Sequence, residues 1–97
     1  MLALATCYCN DIFREAERVG IPVDAVEVRA EADFEDIGLA ATNIRYAARV
    51  DSPASATQIN DLLRQTDAVA EVQNTVRAGV AVALMPWTDP SLASPPP

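Results

Sequence analysis

Apolar side chains in the first part of the chain recur at alternating steps of three and four, which predicts a helix over residues 2–19. The apolar positions are Leu2, Ala5, Cys9, Ile12, Ala16 and Val19. Gly20 follows as a C-cap, and Pro22 prevents the helix from continuing. Because the first two turns are apolar or small on every side, while the charges concentrate near the C-terminal end, we expect the helix to begin deep in a core and to end in water.

The pattern then changes to strict alternation, which is typical of antiparallel strands with one buried face. Residues 26–34 and residues 44–50 both alternate in this way, with an acidic turn around Glu35 and Asp36 between them. We expect the arginines of the second strand to face the acids of the first across the outer surface. A solvated sheet face explains these acids better than a calcium site does, because no D-x-D-x-D-G loop accompanies them.

Two shorter helices are predicted after the second strand. Ser55 and Gln58 form an S-x-x-Q capping box in front of a helix that should stop near Gln65. Asp67 is expected to cap a further short helix, with Gly79 as its C′ residue.

The end of the chain is predicted to hold one more strand and a tail. Residues 80–84 alternate again and predict a last short strand, and the prolines of residues 86–97 predict a disordered tail. The order helix, strand, strand, helix, helix, strand indicates an α+β fold in one domain over residues 1–85. Its centre is a long buried helix packed on an antiparallel sheet with two shorter helices. Three strands cannot cover such a helix alone, so we expect a further element to pack on it.

The charge balance excludes several classes of partner. Fourteen Asp and Glu against seven Lys and Arg give a net charge of −7, which repels phosphate backbones and anionic lipid headgroups. No nucleic acid or membrane partner is therefore expected. The apolar N-terminal stretch is interrupted by Asn10, Asp11 and Arg14 before it reaches the ~20 residues of a bilayer span, and no basic n-region precedes it. We expect a cytoplasmic protein.

Cys7 and Cys9 are the two cysteines of the chain, which contains no histidine. These residues provide too few ligands for zinc, so no metal or cofactor site is predicted. Secreted disulfide scaffolds use more cysteines and spread them along the chain. Side chains two positions apart on a helix point about 200° away from each other, so a Cys7–Cys9 disulfide would require the turn to unwind.

Residues 3–22 read A-L-A-T-C-Y-C-N-D-I-F-R-E-A-E-R-V-G-I-P and resemble the central helix of the OsmC/Ohr family of thiol-based peroxide-handling proteins. In that family an A-L-A-x-C run places the peroxidatic cysteine thirteen residues before a helix-ending glycine, and here this position is Cys7. Residues 23–34 resemble the next strand of the family, and residues 49–54 resemble its strand-to-helix junction. Residues 68–80 are similar to the segment that carries a second cysteine in many members.

The resemblance implies that the chain is the C-terminal part of an OsmC-like domain, that it forms a homodimer, and that Cys7 is the catalytic residue of an organic hydroperoxide reductase. In the family mechanism the oxidised cysteine is returned through a disulfide with the second cysteine. Ala70 occupies that second position here, which implies that an external thiol reductant is needed. The family's N-terminal strands, which supply an Arg and a Glu that tune the thiol, would precede residue 1.

These departures leave other interpretations open. The chain could be a non-catalytic OsmC-like binding or structural domain, or a truncated fragment. Free cysteines are among the most buried residue types, so Cys7 could be inert, and Cys9 is expected to fill the core. The polar residues near the lost second cysteine could line a substrate site or form the wet side of a short helix. They are Gln73, Asn74, Thr75 and Arg77.

Overall fold

The computed structural model describes residues 1–88 and has an α+β fold, as predicted. Its elements are α1 (Leu2–Val19), β1 (Ala25–Asp33), β2 (Thr42–Asp51), α2 (Ala56–Ala68) and α3 (Glu71–Ala78). The expected positions of the first helix and of both strands are therefore confirmed to within two residues. Residues 89–97, to which most of the predicted disordered tail belongs, lie outside the described residues.

Helix α1 is buried along one face and uncovered on the other. Gly20 ends it in the left-handed conformation at φ 76°, and Ile21 N–H donates to the carbonyl oxygen of Ala16 at 2.9 Å. On the outer face, Leu2 is 80% exposed and Phe13 is also exposed. The buried face consists of Leu4, Tyr8, Asp11, Ile12, Glu15 and Ala16. Two carboxylates in this buried set distinguish the helix from a purely apolar core element.

The sheet contains two antiparallel strands and carries the predicted charge pairs on its outer face. Arg49 lies opposite Glu27 with their charged groups 3.0 Å apart, and Arg45 lies opposite Glu31 at 3.1 Å. Exposed pairs of this kind contribute only ~0.2–1 kcal/mol each. The inner face packs its apolar residues against α1 and α2. These residues are Val26, Val28, Tyr46, Ala48 and Val50.

The predicted capping box at the start of α2 is confirmed. Gln58 N–H donates to Ser55 Oγ at 3.2 Å, and Ser55 N–H donates to Gln58 Oε1 at 3.1 Å. The prediction that this helix stops near Gln65 is wrong, because α2 continues to Ala68. The buried Thr66 hydroxyl donates to the carbonyl oxygen of the residue one turn earlier, at 2.7 Å, which lets this polar side chain remain inside the helix.

The prediction that Asp67 caps the third helix is wrong. Asp67 lies inside α2, and Ala70 is the N-cap of α3, without any side-chain hydrogen bond. The Asp67 carboxylate instead accepts hydrogen bonds from Tyr46 and Arg77. A carboxylate that gains a phenol and a guanidinium as donors is better satisfied there than as the cap of an eight-residue helix.

The predicted strand over residues 80–84 is also wrong. The structure has no regular element there, and all five residues are exposed. Within residues 1–88 the sheet comprises β1 and β2 alone, and a short alternating segment does not hold a strand conformation without a neighbour to pair with. Among the same residues, no helix combines the length and the hydropathy that a membrane span requires.

The core lies where α1, α2 and the start of α3 meet the inner face of the sheet. It is small and is centred on α1. Its buried members are Tyr8, Ile12, Ala16, Leu62 and Ala70. The side of α1 that faces α3 lies at the border of this core, and Cys7 is on that side.

Candidate functional site

Cys7 and Cys9 are both free thiols and both half-buried, on opposite edges of the buried face of α1. Cys9 lies on the edge toward β1, where it shares a shallow depression with Ala5 and Val28. Cys7 lies on the edge toward α3. The helical separation of the two thiols agrees with the prediction that they do not form a disulfide within the chain.

Helix α3 lies along the stripe of α1 that contains Cys7. Leu4, Cys7, Asp11 and Arg14 follow each other at steps of three and four, so they share one side of the helix. Gln73 on α3 donates through Nε2 to the carbonyl oxygen of Leu4 at 3.1 Å. At the other end of the stripe, the Arg14 guanidinium lies 3.1 Å from a carboxylate of α3. These two contacts place Cys7 beside the α1–α3 interface.

Arg14 is the basic residue closest to Cys7 in sequence, and its charge is already engaged by three carboxylates. Its guanidinium lies 3.4 Å from Asp11, 3.1 Å from Glu15 and 3.1 Å from Glu71. The hydrogen bond with Glu15 is the main cause that raises the pKa of Arg14 above its ordinary value. Reactive thiolates are stabilised by nearby cations. The guanidinium of Arg14 is therefore already paired with carboxylates.

Asp11 and Gln73 are the most deeply buried polar groups beside Cys7. Burial raises the pKa of the Asp11 carboxyl; the charge of Arg14 opposes this shift, and the charges of Glu71 and Glu15 add to it. Asp11 is 8% exposed and Gln73 is 3% exposed. Asp11 Oδ2 and Gln73 Oε1 are both buried, and neither finds a hydrogen-bond partner within residues 1–88. Two acceptors without a donor therefore lie on the Cys7 side of α1.

The segment that resembles the second-cysteine motif divides into a buried and an exposed part. Ala70, at the cysteine position, is fully buried in the core. Asn74, Thr75 and Arg77 are exposed, as expected for the wet side of a short helix, whereas Gln73 is buried. Of the four polar residues for which a substrate site and a wet helix side were both open, Gln73 alone is buried. Its spacing could have indicated this burial, because Gln73 follows Ala70 by three residues and the two therefore lie on one side of a helix.

Asp11 was likewise missed as a site residue. Its spacing of three after Tyr8 and four before Glu15 places it next to the apolar stripe, and this spacing was the available signal. Within residues 1–88, no group of three or more His, Cys, Asp and Glu side chains is arranged to hold a metal ion.

A second polar cluster connects all three helices to the sheet. Tyr46 on β2 donates to the Asp67 carboxylate, which also pairs with Arg77. The Tyr8 hydroxyl donates to the carbonyl oxygen of Leu63 at 2.7 Å, and the two tyrosine rings meet edge to face with centroids 4.6 Å apart. Burial raises the pKa of Tyr8 to about 12 and also raises that of Tyr46. Both hydroxyls therefore stay protonated, and this cluster serves stability rather than proton transfer.

We expect Asp67→Asn to destabilise the protein at neutral pH and to have little effect in acid. Burial alone would raise the pKa of Asp67, but the hydrogen bonds from Tyr46 and Arg77 outweigh it, so the pKa is lowered. A lowered folded-state pKa gives stability that is present above the ordinary value of about 4 and is lost as the pH falls through the folded-state value.

Because 38% of the Asp67 side chain is exposed, screening limits the expected loss at pH 7 to about 1 kcal/mol or less. Urea unfolding of both proteins, near neutral pH and below about pH 3, measures the difference. A difference of the same size at both pH values would contradict the assigned shift.

Comparison with models of known protein families gives a match over most of the chain. The family model described as OsmC-like protein matches residues 1–85. No curated protein matches the chain.

Proposed function

This chain belongs to the OsmC-like protein family, and from that premise we propose that it is a thiol-dependent peroxide-handling protein of the organic hydroperoxide reductase type. The residue that reacts is Cys7. One observation carries the proposal: Cys7 is a free thiol that is neither sealed in the core nor fully exposed, at the edge of α1 beside α3. A thiol that is only partly buried remains accessible to a small hydroperoxide.

The proposed reaction oxidises Cys7 by two electrons. The thiolate sulfur attacks the terminal oxygen of the hydroperoxide and the O–O bond breaks. The leaving oxygen takes a proton from water, and the products are a sulfenic acid on Cys7 and an alcohol. Because Ala70 supplies no thiol, two external thiols then complete the cycle. The first forms a mixed disulfide with Cys7 and releases water. The second attacks that disulfide, which frees the Cys7 thiol and leaves the two external thiols joined as a disulfide. No cofactor is needed in either half of the cycle.

The same proposal includes a homodimer in the cytoplasm. The uncovered outer face of α1 supports the dimer, because Leu2 and Phe13 are large apolar residues that a second copy would remove from water. The cytoplasm is supported by the requirement for an external thiol, since that compartment maintains a reduced thiol pool.

A non-catalytic OsmC-like binding or structural domain is the second candidate. Two observations favour it. Arg14 is held by three carboxylates and is not free to stabilise a thiolate, and the second-cysteine position is a fully buried alanine. In this alternative Cys7 and Cys9 only fill space at the edges of α1.

Mass spectrometry after oxidation tests the proposal. The protein is treated with one equivalent of tert-butyl hydroperoxide in the presence of a dimedone-type sulfenic acid trap. We expect one adduct per chain, located on Cys7, because this thiol alone faces the α3 side of α1. A Cys9→Ser variant is the matched control and should be trapped to the same extent. Absence of an adduct in a folded sample would contradict the peroxidase proposal and support the non-catalytic domain.

A further inference from the structure

The outer edge of β2 is open for pairing with another strand. Within residues 1–88 the sheet consists of β1 and β2, so the side of β2 that faces away from β1 has no strand partner. Asn43 leaves the strand conformation at φ 50°, and the register shift of the sheet lies between Glu31 and Asp33, which leaves residues 44–51 as a regular stretch. This stretch contains no lysine and no proline, the residues with which proteins commonly block an exposed edge.

An open groove extends along the inner side of this edge, between β2 and α2. Its volume is about 590 Å³, and its walls include Tyr46 and Ala48 of β2 as well as Asn60 and Arg64 of α2, whereas β1 contributes no wall residue. The inner side chains of β2 remain no more than half-buried. A strand added at the edge finds room in this groove for its own inner side chains, because they project to the same side of the sheet as Tyr46 and Ala48.

The strand that fits this edge is β2 of a second copy. Two identical edges related by a two-fold axis pair antiparallel, and their inner and outer faces agree only when one residue lies opposite its own copy. If that residue is Arg45 or Arg49, identical arginines face each other, and if it is Ala47, Arg45 faces the partner's Arg49. If it is Tyr46, no two charged groups face each other. The edge of β1 fits a second copy less well, since its outer row holds three carboxylates and one arginine.

The register in which Ala48 faces its own copy matches both charge and shape. On the outer face it sets Arg45 opposite the partner's Asp51, and the two-fold axis makes this contact twice. Asp51 is exposed at the end of β2 and lies opposite an alanine in its own sheet. On the inner face the register sets Tyr46 opposite the partner's Val50, and aromatic and β-branched side chains form favourable cross-strand pairs.

We propose that two copies of the chain associate through the outer edges of β2, with Ala48 opposite its own copy. The two strands of each copy then form one continuous antiparallel sheet in the order β1–β2–β2–β1. The pairing satisfies the backbone groups of both edges and places the inner side chains of each β2 strand over the other copy's groove. This inference goes beyond the proposed function and does not depend on the chemistry of Cys7. The contact is also distinct from the outer face of α1.

Crosslinking at single positions tests the contact. Ala48→Cys and Ala30→Cys are each prepared in a Cys7→Ser/Cys9→Ser background, so that every chain carries one thiol, and are treated with a short bifunctional thiol reagent. Ala48→Cys should give a covalent dimer, because opposing Cβ atoms in a strand pair are about 4.5–5.5 Å apart. Ala30→Cys is the matched control, since Ala30 is a half-buried alanine on the inner face of β1, and it should give at least about tenfold less dimer.

Exchanged charges test the register. Asp51→Arg sets two arginines opposite each other, and Arg45→Glu sets a glutamate opposite the partner's Asp51. Each variant alone should raise the dimer dissociation constant at least about tenfold, because both contacts become repulsive. An equimolar mixture of the two variants should restore association, since every contact in the mixed dimer again joins an arginine to an acid. Sedimentation velocity over a series of protein concentrations measures all three samples, and restored association also shows that both variants are folded.

Several outcomes would overturn the inference. A wild-type protein that stays monomeric at every concentration has no such contact. A wild-type dimer in which Ala48→Cys is crosslinked no better than Ala30→Cys associates through another surface, such as the outer face of α1. A mixture that stays monomeric while Ala48→Cys is crosslinked excludes the pairing of Arg45 with Asp51 and therefore the register. Hydroperoxide consumption by the wild type is measured separately, so the proposed function stands or falls on its own result.

Discussion

Replacement of Cys7 by serine is expected to reduce hydroperoxide consumption by at least ~10³-fold, to the level of the buffer. A serine hydroxyl is a weak nucleophile at its ordinary pKa, and it cannot be oxidised to a sulfenic acid. Serine differs from cysteine by one atom and leaves the helix intact, so the loss reports on chemistry rather than on folding. The measurement is the rate at which tert-butyl hydroperoxide disappears when dithiothreitol is the external reductant.

Cys9→Ser is the natural control, because it makes the same one-atom change on the opposite edge of α1. Its hydroperoxide consumption should remain within about twofold of the wild-type rate, since Cys9 lies toward β1 and away from Asp11 and Gln73. Consumption that survives in Cys7→Ser would exclude Cys7 as the reacting thiol. Equal partial losses in both variants would indicate unspecific oxidation of accessible thiols, which favours the non-catalytic domain.

Elements whose ends or patterns are determined by residues close together in the sequence could be predicted. The end of α1 was predictable because Gly20 takes up a left-handed conformation that other residues rarely adopt, and the start of α2 because Ser55 and Gln58 satisfy each other's backbone groups. The two strands followed from their alternation. In each case the residues that decide the structure are within a few positions of each other along the chain.

The errors arose where a distant partner decides the outcome. Asp67 has the chemistry of an N-cap, but Tyr46, twenty-one residues earlier, binds its carboxylate and holds it inside α2. Residues 80–84 have the alternation of a strand, but alternation does not show whether a neighbouring strand is available for pairing. Neither fact can be read from the local pattern.

The candidate site was predictable only in part for the same reason. Cys7 could be proposed only from the resemblance to the central helix of the family, in which a cysteine precedes the helix-ending glycine by thirteen residues. Asp11 and Gln73 look like ordinary surface residues in the sequence, and the packing of α3 on α1 is what buries them. Burial raises the pKa of Asp11, and among the described residues one oxygen of each side chain has no hydrogen-bond partner.

The largest effect on stability is expected from Ile12→Ala. Ile12 is fully buried at the centre of the core, where it packs with Tyr8, Ala16 and Leu62. Removing three buried carbon atoms loses their transfer free energy and leaves a cavity, and such changes cost about 2–5 kcal/mol. Because the core has few large members that could fill the cavity, we expect a loss of about 3–4 kcal/mol. This is a large part of the about 5–15 kcal/mol that stabilises a small domain in total.

Ile37→Ala deletes the same atoms from a side chain that is 99% exposed, and it should change the free energy of unfolding by no more than about 0.5 kcal/mol. Urea unfolding of the two variants and the wild type, at one protein concentration, gives the comparison. Similar small losses in both variants would show that Ile12 is not at the centre of a packed core. Because Cys7 is held in place by the same helix, that result would also remove the rigid support which the proposed site requires.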